Sequence, residues 1–260
     1  MKKFIISGSL VVAVATLVTG ATIAFFNDTE TSTGNIFTAG TIDLTIDSNG
    51  SSYNGASLPD ENFLSKDLTD EKFFVFDDIK PGDYGVRDIS MHVSSNPAYA
   101  CLIIHNKDDV DNGITDPEDE VDNVNDNLDG TPLGDLSKDL ELFAWEDLNA
   151  DQTYDPGTGE PPLVHDGGGF AVDSFFDITY EIMYDSTAGV GPFVQNDNRN
   201  FALAWCAGTQ TVNHTTGEIT CDGSGMGDIS QSDMFDADIT LYAEQVRNNP
   251  DFTCAGVELE

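Results

Sequence analysis

Apolar residues in this chain recur mostly at every second position. In TIDLTID (41–47), Ile42, Leu44 and Ile46 fall on one side and Thr41, Asp43 and Thr45 on the other, which is the period of a half-buried strand. The polar run SNGSSYNGASLPDEN (48–62) ends it. FFVFDDI (73–79) predicts a second, aromatic strand, and VRDISMHV (86–93) alternates through Ile89, Met91 and Val93. Between them KPGD (80–83) places Pro81 and Gly82 at the centre of a type II turn. AYACLIIHN (98–106) is nearly continuous in apolar residues, as expected of a central strand covered on both faces. MFDADITLYAEQV (234–246) alternates most cleanly. Phe235, Ala237, Ile239, Leu241 and Ala243 point one way, and Asp236, Asp238, Thr240, Tyr242 and Glu244 the other. FDITYEIMY (176–184) and FALAWCAG (201–208) predict further strands, and GDLSKDLE (134–141) one short helix. Acid-rich insertions at 106–135 and 146–165 separate strand-like segments and are assigned to loops. Many short strands with turn signals between them predict an all-β fold, an antiparallel jelly roll or β-sandwich.

Charge and cysteine content narrow the function. The 260 residues include only 10 Lys and Arg against 47 Asp and Glu, a formal charge of −37. Phosphate binding needs a basic surface, so nucleic acid is excluded as a partner; cations are the natural counter-partners. Lys2 and Lys3, the apolar stretch 4–24 and the small residues Thr22 and Ala24 form a secretory leader cleaved between Ala24 and Phe25. The expected mature chain, 25–260, is a single domain that meets a membrane only through the uncleaved leader. Four cysteines in an exported chain predict two disulfides, with three connectivities open. Cys206–Cys221 is favoured because a polar, turn-rich segment joins two strand ends; such a loop closure stabilises by about 3 kcal/mol. Cys101–Cys254 follows by elimination.

Three stretches carry a family resemblance. TGATIAFFNDTETSTGNIFTAGTIDLTID (19–47) and DIKPGDYGVRDISMHVSSNPAYACLII (78–104) resemble the start and the K-P-G-D region of the TasA and camelysin family, and ADITLYAEQV (237–246) resembles its closing strand in pattern. The resemblance implies a jelly-roll protein secreted to the matrix or cell surface, whose leader is removed by a signal peptidase of the SipW type. It also implies a subunit that polymerises head to tail with copies of itself into fibres or pili, its N-terminal strand filling the sheet of the next subunit. The donor would be 25–37, with Phe25, Phe26, Ile36 and Phe37 as apolar plugs. Two alternatives stand beside this non-enzymatic reading: a camelysin-like cell-surface metalloprotease, and a monomeric calcium-binding surface adhesin.

The candidate chemistry is that of a hard cation. Asp147, Asn149, Asp151 and Asp155 match positions 1, 3, 5 and 9 of a calcium loop. Gln152 stands where an EF-hand has glycine and Thr158 where it has the bidentate glutamate, with Glu160 two residues beyond as a substitute. Asp109, Asp111 and Asp116, with Gly113 permitting a turn, form a second candidate. Catalytic signatures are weak. There is no H-E-x-x-H, the four histidines are scattered, and Ser224 lacks the strand-to-helix setting of a nucleophile elbow.

Overall fold

The structure, a computed structural model, describes residues 27–29, 42–94, 96–113, 115–121, 134–164, 170–171, 181–187 and 191–259. The leader, the cleavage point, Phe25, Phe26, Ile36, Phe37 and one of the four histidines, His165, lie outside them. The described strands are β1 (Asn27–Thr29), β2 (Leu44–Tyr53), β3 (Ala56–Ser57), β4 (Phe63–Lys66), β5 (Tyr84–Val93), β6 (Ala98–Val110) and β7 (Leu140–Glu146). They continue with β8 (Pro162–Val164), β9 (Phe170–Ala171), β10 (Glu181–Tyr184), β11 (Asp197–Ala207), β12 (Thr209–Val212), β13 (Ile219–Asp222) and β14 (Met234–Gln245).

Two antiparallel sheets are built from these strands. One has the order β1-β14-β6-β10; the other has β3-β2-β5-β11-β7-β8, with β4 on β2 and β9 on β7. A β12-β13 hairpin stands apart. The alternating residues meet between the sheets. Leu44, Ile46, Ile89, Met91, Val93, Phe201 and Leu203 from the larger sheet share one core with Ala98, Ala100, Leu102, Ile104, Leu241 and Ala243 from the smaller. The fold is therefore an all-β sandwich. β6 is covered on both faces. Its other side chains, Cys101 and Ile103, pack with Tyr242 under Phe252, Cys254, Val257 and Leu259 from the C-terminal segment. Disulfides join Cys101 to Cys254 and Cys206 to Cys221, with Cα separations of 5.6 and 5.5 Å.

Several elements differ from the sequence reading. β2 does not stop at residue 47 but continues through the Ser- and Gly-rich run to Tyr53, where Asn54 (φ 47°) and Gly55 (φ 77°) turn it into β3. Two consecutive positive φ values are those of a tight hairpin turn. The backbone of 73–79 joins no ladder among the described residues. Its aromatic rings explain why: Phe73 is buried in the main core, while Phe74 and Phe76 pack with Tyr53 and Trp205 in a separate apolar cluster. Side-chain packing, not strand pairing, uses these phenylalanines. Residues 136–139 make a 3-10 turn, and β7 begins at once at Leu140, so the 134–141 helix is absent. The one α-helix described is α1 (Asp116–Asp119), a single turn inside the first acidic insertion. β6 also runs into that insertion as far as Val110, because β14 supplies a partner as far as Met234.

The K-P-G-D turn is a structural anchor. Asp83 N donates to Lys80 O (2.9 Å), and Gly82, at φ 87°, donates its N–H to Ala207 O (2.7 Å). The Asp83 carboxylate accepts hydrogen bonds from Tyr53 Oη, Asn54 Nδ2 and Lys80 N. Burial raises the Asp83 pKa, but these donors more than offset it, so the carboxyl sits below its ordinary value. A carboxylate lowered in this way stabilises the fold above its unfolded pKa, and the contribution is lost as pH falls through the folded value. Asp83→Asn is expected to cost about 1.5–3 kcal/mol at neutral pH. The gap between variant and parent should close as pH drops below about 4. Urea denaturation of both proteins across that range checks it; a gap that does not change with pH contradicts the assignment.

The few cations near the core are engaged internally. Arg87, 1% exposed, donates from Nη1 to Glu61 Oε2 (2.7 Å) and from Nη2 to Glu61 O (2.8 Å). Arg199 lies over the rings of Tyr184 and Phe193, 4.6 and 4.8 Å from their centroids, and pairs with Asp197.

Candidate functional site

Two features of the fold can carry function: an edge of the smaller sheet and the acidic loops. At the edge, β1 lies antiparallel on β14 of its own chain, with Asn27 opposite Glu244, Asp28 opposite Ala243 and Thr29 opposite Tyr242. β6 holds the other side of β14 over nearly its whole length. Among the described residues, Asn27, Asp28 and Thr29 pair with the outer side of β14. Asp236 and Asp238 are exposed along this strand, a charge pattern that discourages unspecific pairing at an edge.

The 147–160 loop leaves the end of β7. Asp147 N donates to Asn200 O on β11 (2.9 Å), and Asp147 has no exposed surface. Its carboxylate gathers the loop: Oδ2 accepts from Gln152 N (2.8 Å) and Oδ1 from Asp151 N (3.3 Å). Asn149 Oδ1 accepts from Asp151 N (3.1 Å), and Asp151 Oδ1 from Thr153 N (2.8 Å). Gln152, at the glycine position of an EF-hand, has φ 64°, the left-handed backbone for which glycine is preferred there. Glu160, 3% exposed, closes the loop: Oε1 accepts from Leu148 N (3.1 Å) and Oε2 from Asp155 N (2.7 Å). Burial raises the Glu160 pKa, its two backbone donors oppose this, and the charges of Asp147 and Asp155 raise it further. Asp147, Asn149, Asp151, Asp155 and Glu160 therefore belong to one compact loop.

This loop rests on an apolar floor and on one acid that the sequence reading passed over. Phe143 and Trp145 face outward from β7 and pack with Tyr154, Ala202, Ala204 and Val212. Beside them Asp88 projects from β5. Its ladder partner on β2 is Gly50, and a Cβ on Gly50 would lie 2.1 Å from Gln152 Nε2. The loop thus lies across the strand pair that carries Asp88. Asp88 is 3% exposed, and its Oδ1 has no hydrogen-bond partner. Burial, then Asp147, then Asp47 push its carboxyl up to about 6. The alternation of β5 puts Asp88 on the polar side, where it reads as a solvated residue. The available signal is in LFAWE (142–146), where apolar residues on both faces of β7 mean that the outer face is covered.

The second acidic candidate is rearranged. Asp111 comes together not with Asp109 and Asp116 but with Glu118 and Asp233, their ligand-capable oxygens lying within 4.8 Å of one another. Asp109 turns instead to the start of the 3-10 turn, accepting from Ser137 N (3.2 Å). Glu118 is drawn in by α1: its Oε2 accepts from Thr115 N (2.9 Å), closing a capping box. Asp233 is more than a hundred residues away in sequence and is brought there by the start of β14. Burial raises Asp233 to about 6, against the hydrogen bond from Asp135 N, with Glu118, Asp111 and Asp109 adding repulsion.

A catalytic zinc site takes three protein ligands, commonly with histidine among them. His92 Nε2 pairs with Asp47 Oδ2 (2.6 Å), His105 Nε2 with Thr240 Oγ1 (2.8 Å) and His214 Nδ1 with Tyr154 Oη (3.0 Å). Each is thus engaged with a different partner. Among the described residues, the metal-capable group of three is all carboxylate. These residues do not fit a zinc peptidase centre.

No curated protein matches the chain. A family model does: the one described as Camelysin metallo-endopeptidase matches residues 1–135, just over half of the 260. With the antiparallel sandwich and the K-P-G-D anchor in place, the chain belongs to the camelysin metallo-endopeptidase family.

Proposed function

We propose that this chain is a secreted, non-enzymatic structural subunit that assembles into extracellular fibres by passing its N-terminal strand to the next subunit. The observation that carries the reading is the place of β1. It is the most N-terminal strand described, and Asn27, Asp28 and Thr29 pair with a strand whose other side is held by β6. In the precursor the residues ahead of this strand continue into the leader, so no free end is available to donate. Once cleaved, the same residues can pair with β14 of a neighbour, and backbone hydrogen bonds and alternate side chains then set affinity and register. Exchange of an identical element between copies is a low-cost route to association, and a head-to-tail contact that does not close grows a filament. Family membership supports a secreted surface protein.

The test is negative-stain microscopy of the processed chain beside a variant lacking residues 25–37. The core shared by the two sheets is built, among the described residues, from Ile42 onward; the variant is expected to fold, with an unchanged circular dichroism spectrum, and to remain as single particles where the parent forms filaments. Filaments from the deletion variant, or isolated parent particles in every salt condition, would overturn the proposal. Chelator-sensitive proteolysis that survives the deletion would instead favour the peptidase.

A further inference from the structure

We propose that Asn213 is a site of N-linked glycosylation, taking a glycan from a lipid-phosphate-linked donor. The proposal rests on the export of the chain, because N-x-S/T acceptors are used in secreted proteins, and it does not depend on fibre assembly. Three such triplets occur, at Asn27, Asn49 and Asn213. Transfer needs two groups within reach of the enzyme at once: the carboxamide nitrogen and the hydroxyl two residues on. The fold separates the triplets. Asn27 has its backbone in the β1–β14 ladder. Asn49 lies within β2, and its Nδ2 donates to Asp47 Oδ1 (2.6 Å). Ser51, two residues on, is 4% exposed, and its Oγ donates to Glu61 Oε2 (2.8 Å). Both groups of the Asn49 triplet are therefore spent inside the fold.

Asn213-His214-Thr215 differs on each count. It opens the turn of the β12–β13 hairpin, where Asn213 N donates to Glu218 O and Gly217 N to Asn213 O, both at 2.8 Å. The middle residue of the triplet is turned inward. His214 Nδ1 meets Tyr154 Oη (3.0 Å), and the ring stands edge-on to Phe143 and Tyr154, 5.8 Å from each centroid. Gly217 (φ 78°) approaches Tyr154 so closely that a Cβ would lie 1.8 Å from its O, a contact only glycine allows. The turn is thus seated on the fold through His214 and Gly217, while Asn213 and Thr215 on either side of the histidine are exposed. Asn213 Oδ1 accepts from Thr215 N (2.9 Å) and Thr216 N (3.1 Å), which fixes the carboxamide. Asn213 Nδ2 has no acceptor and Thr215 Oγ1 no partner among the described residues. Donors on the amide oxygen draw density from its nitrogen and make the N–H more acidic. In the transfer, Nδ2 attacks the anomeric carbon of the donor sugar. A C–N bond replaces the C–O bond to the carrier phosphate, which leaves with the electron pair, and the Nδ2 proton passes to a base of the transferase.

The experiment is intact-mass measurement and peptide mapping of the full chain recovered from the cells that naturally make it. The parent is expected to carry a glycan on Asn213 and none on Asn49. Asn213→Gln and Thr215→Ala are each expected to lose that glycan entirely. Thr215→Ser, which keeps the hydroxyl, and Thr216→Ala, which lies outside the triplet, are expected to retain it. A bare Asn213 overturns the site. So does a sugar carried by Asn49, or by the hydroxyl of Thr215 or Thr216, in its place, or full modification in Thr215→Ala. The amino terminus of the same sample reads export separately. A chain beginning at Phe25 with Asn213 bare overturns the glycan site alone, whereas a bare chain that still carries its leader overturns the secreted reading with it.

Discussion

Replacing Cys101 and Cys254 together by serine is expected to cost about 5 kcal/mol, the largest loss from any single feature of this fold. The bridge joins residues 153 apart, and in the chain-entropy view a loop of that length restricts the unfolded ensemble by about that amount. The folded side adds to it. The bridge ties the C-terminal segment down over β6 and β14, where Phe252 stacks on Tyr99 and Tyr242 at 5.4 and 6.2 Å. Without the bridge, Cys101 and Ile103 on the central strand lose their clamped cover. Cys206 and Cys221, separated by 15 residues, are expected to contribute about 3 kcal/mol. Denaturant unfolding of the two double-serine variants orders them, and hydrogen exchange across 246–259 should accelerate only in the first. A larger loss in the Cys206→Ser/Cys221→Ser protein would contradict this reading.

Trp145→Ala is expected to cost about 3–5 kcal/mol, the range for emptying a large buried aromatic site. Trp145 is fully buried on the outer face of β7, stacked on Phe143 at 5.6 Å and tilted against Tyr154 at 5.8 Å. Removing it opens a hole directly beneath the 147–160 loop. Trp145→Phe should be far milder, about 1.5 kcal/mol or less. It keeps most of the ring contact and eliminates an indole Nε1 that is buried without a partner, a group that itself costs about 1–3 kcal/mol. Denaturation followed by far-ultraviolet circular dichroism measures both variants without relying on tryptophan emission. Equal losses would mean that ring volume is not what supports the loop.

What the sequence made legible is what local pattern controls. Ile89, Met91 and Val93, or Leu241 and Ala243, alternate because one face of a strand meets a core, and period two survives into the structure residue for residue. Pro81 and Gly82 declare their turn because few other residues adopt that backbone. The failures share a different cause. Residues 48–53 look like loop because a strand held by its ladder needs no apolar side chains. Phe73, Phe74 and Phe76 look like strand because aromatic residues are equally suited to plugging a gap. In the candidate sites, Asp147, Asn149 and Asp151 could be read together because one loop carries them. Asp88 could not, because the residues that bury it arrive from some sixty positions away. Glu118 and Asp233 likewise meet only through the ladder of β6 and β14.

The placement of the long bridge also has a mechanical consequence. In the proposed filament, joined along β14, tension would enter each subunit at that edge and cross to β6 through the longest strand pair among the described residues. The C-terminal segment, free without the bridge to peel from the pulled sheet, is bolted by a covalent bond to the strand that would receive the load. Stretching such a thread would strain subunit junctions before it unravelled the subunits, so a broken fibre would shed intact units able to rejoin.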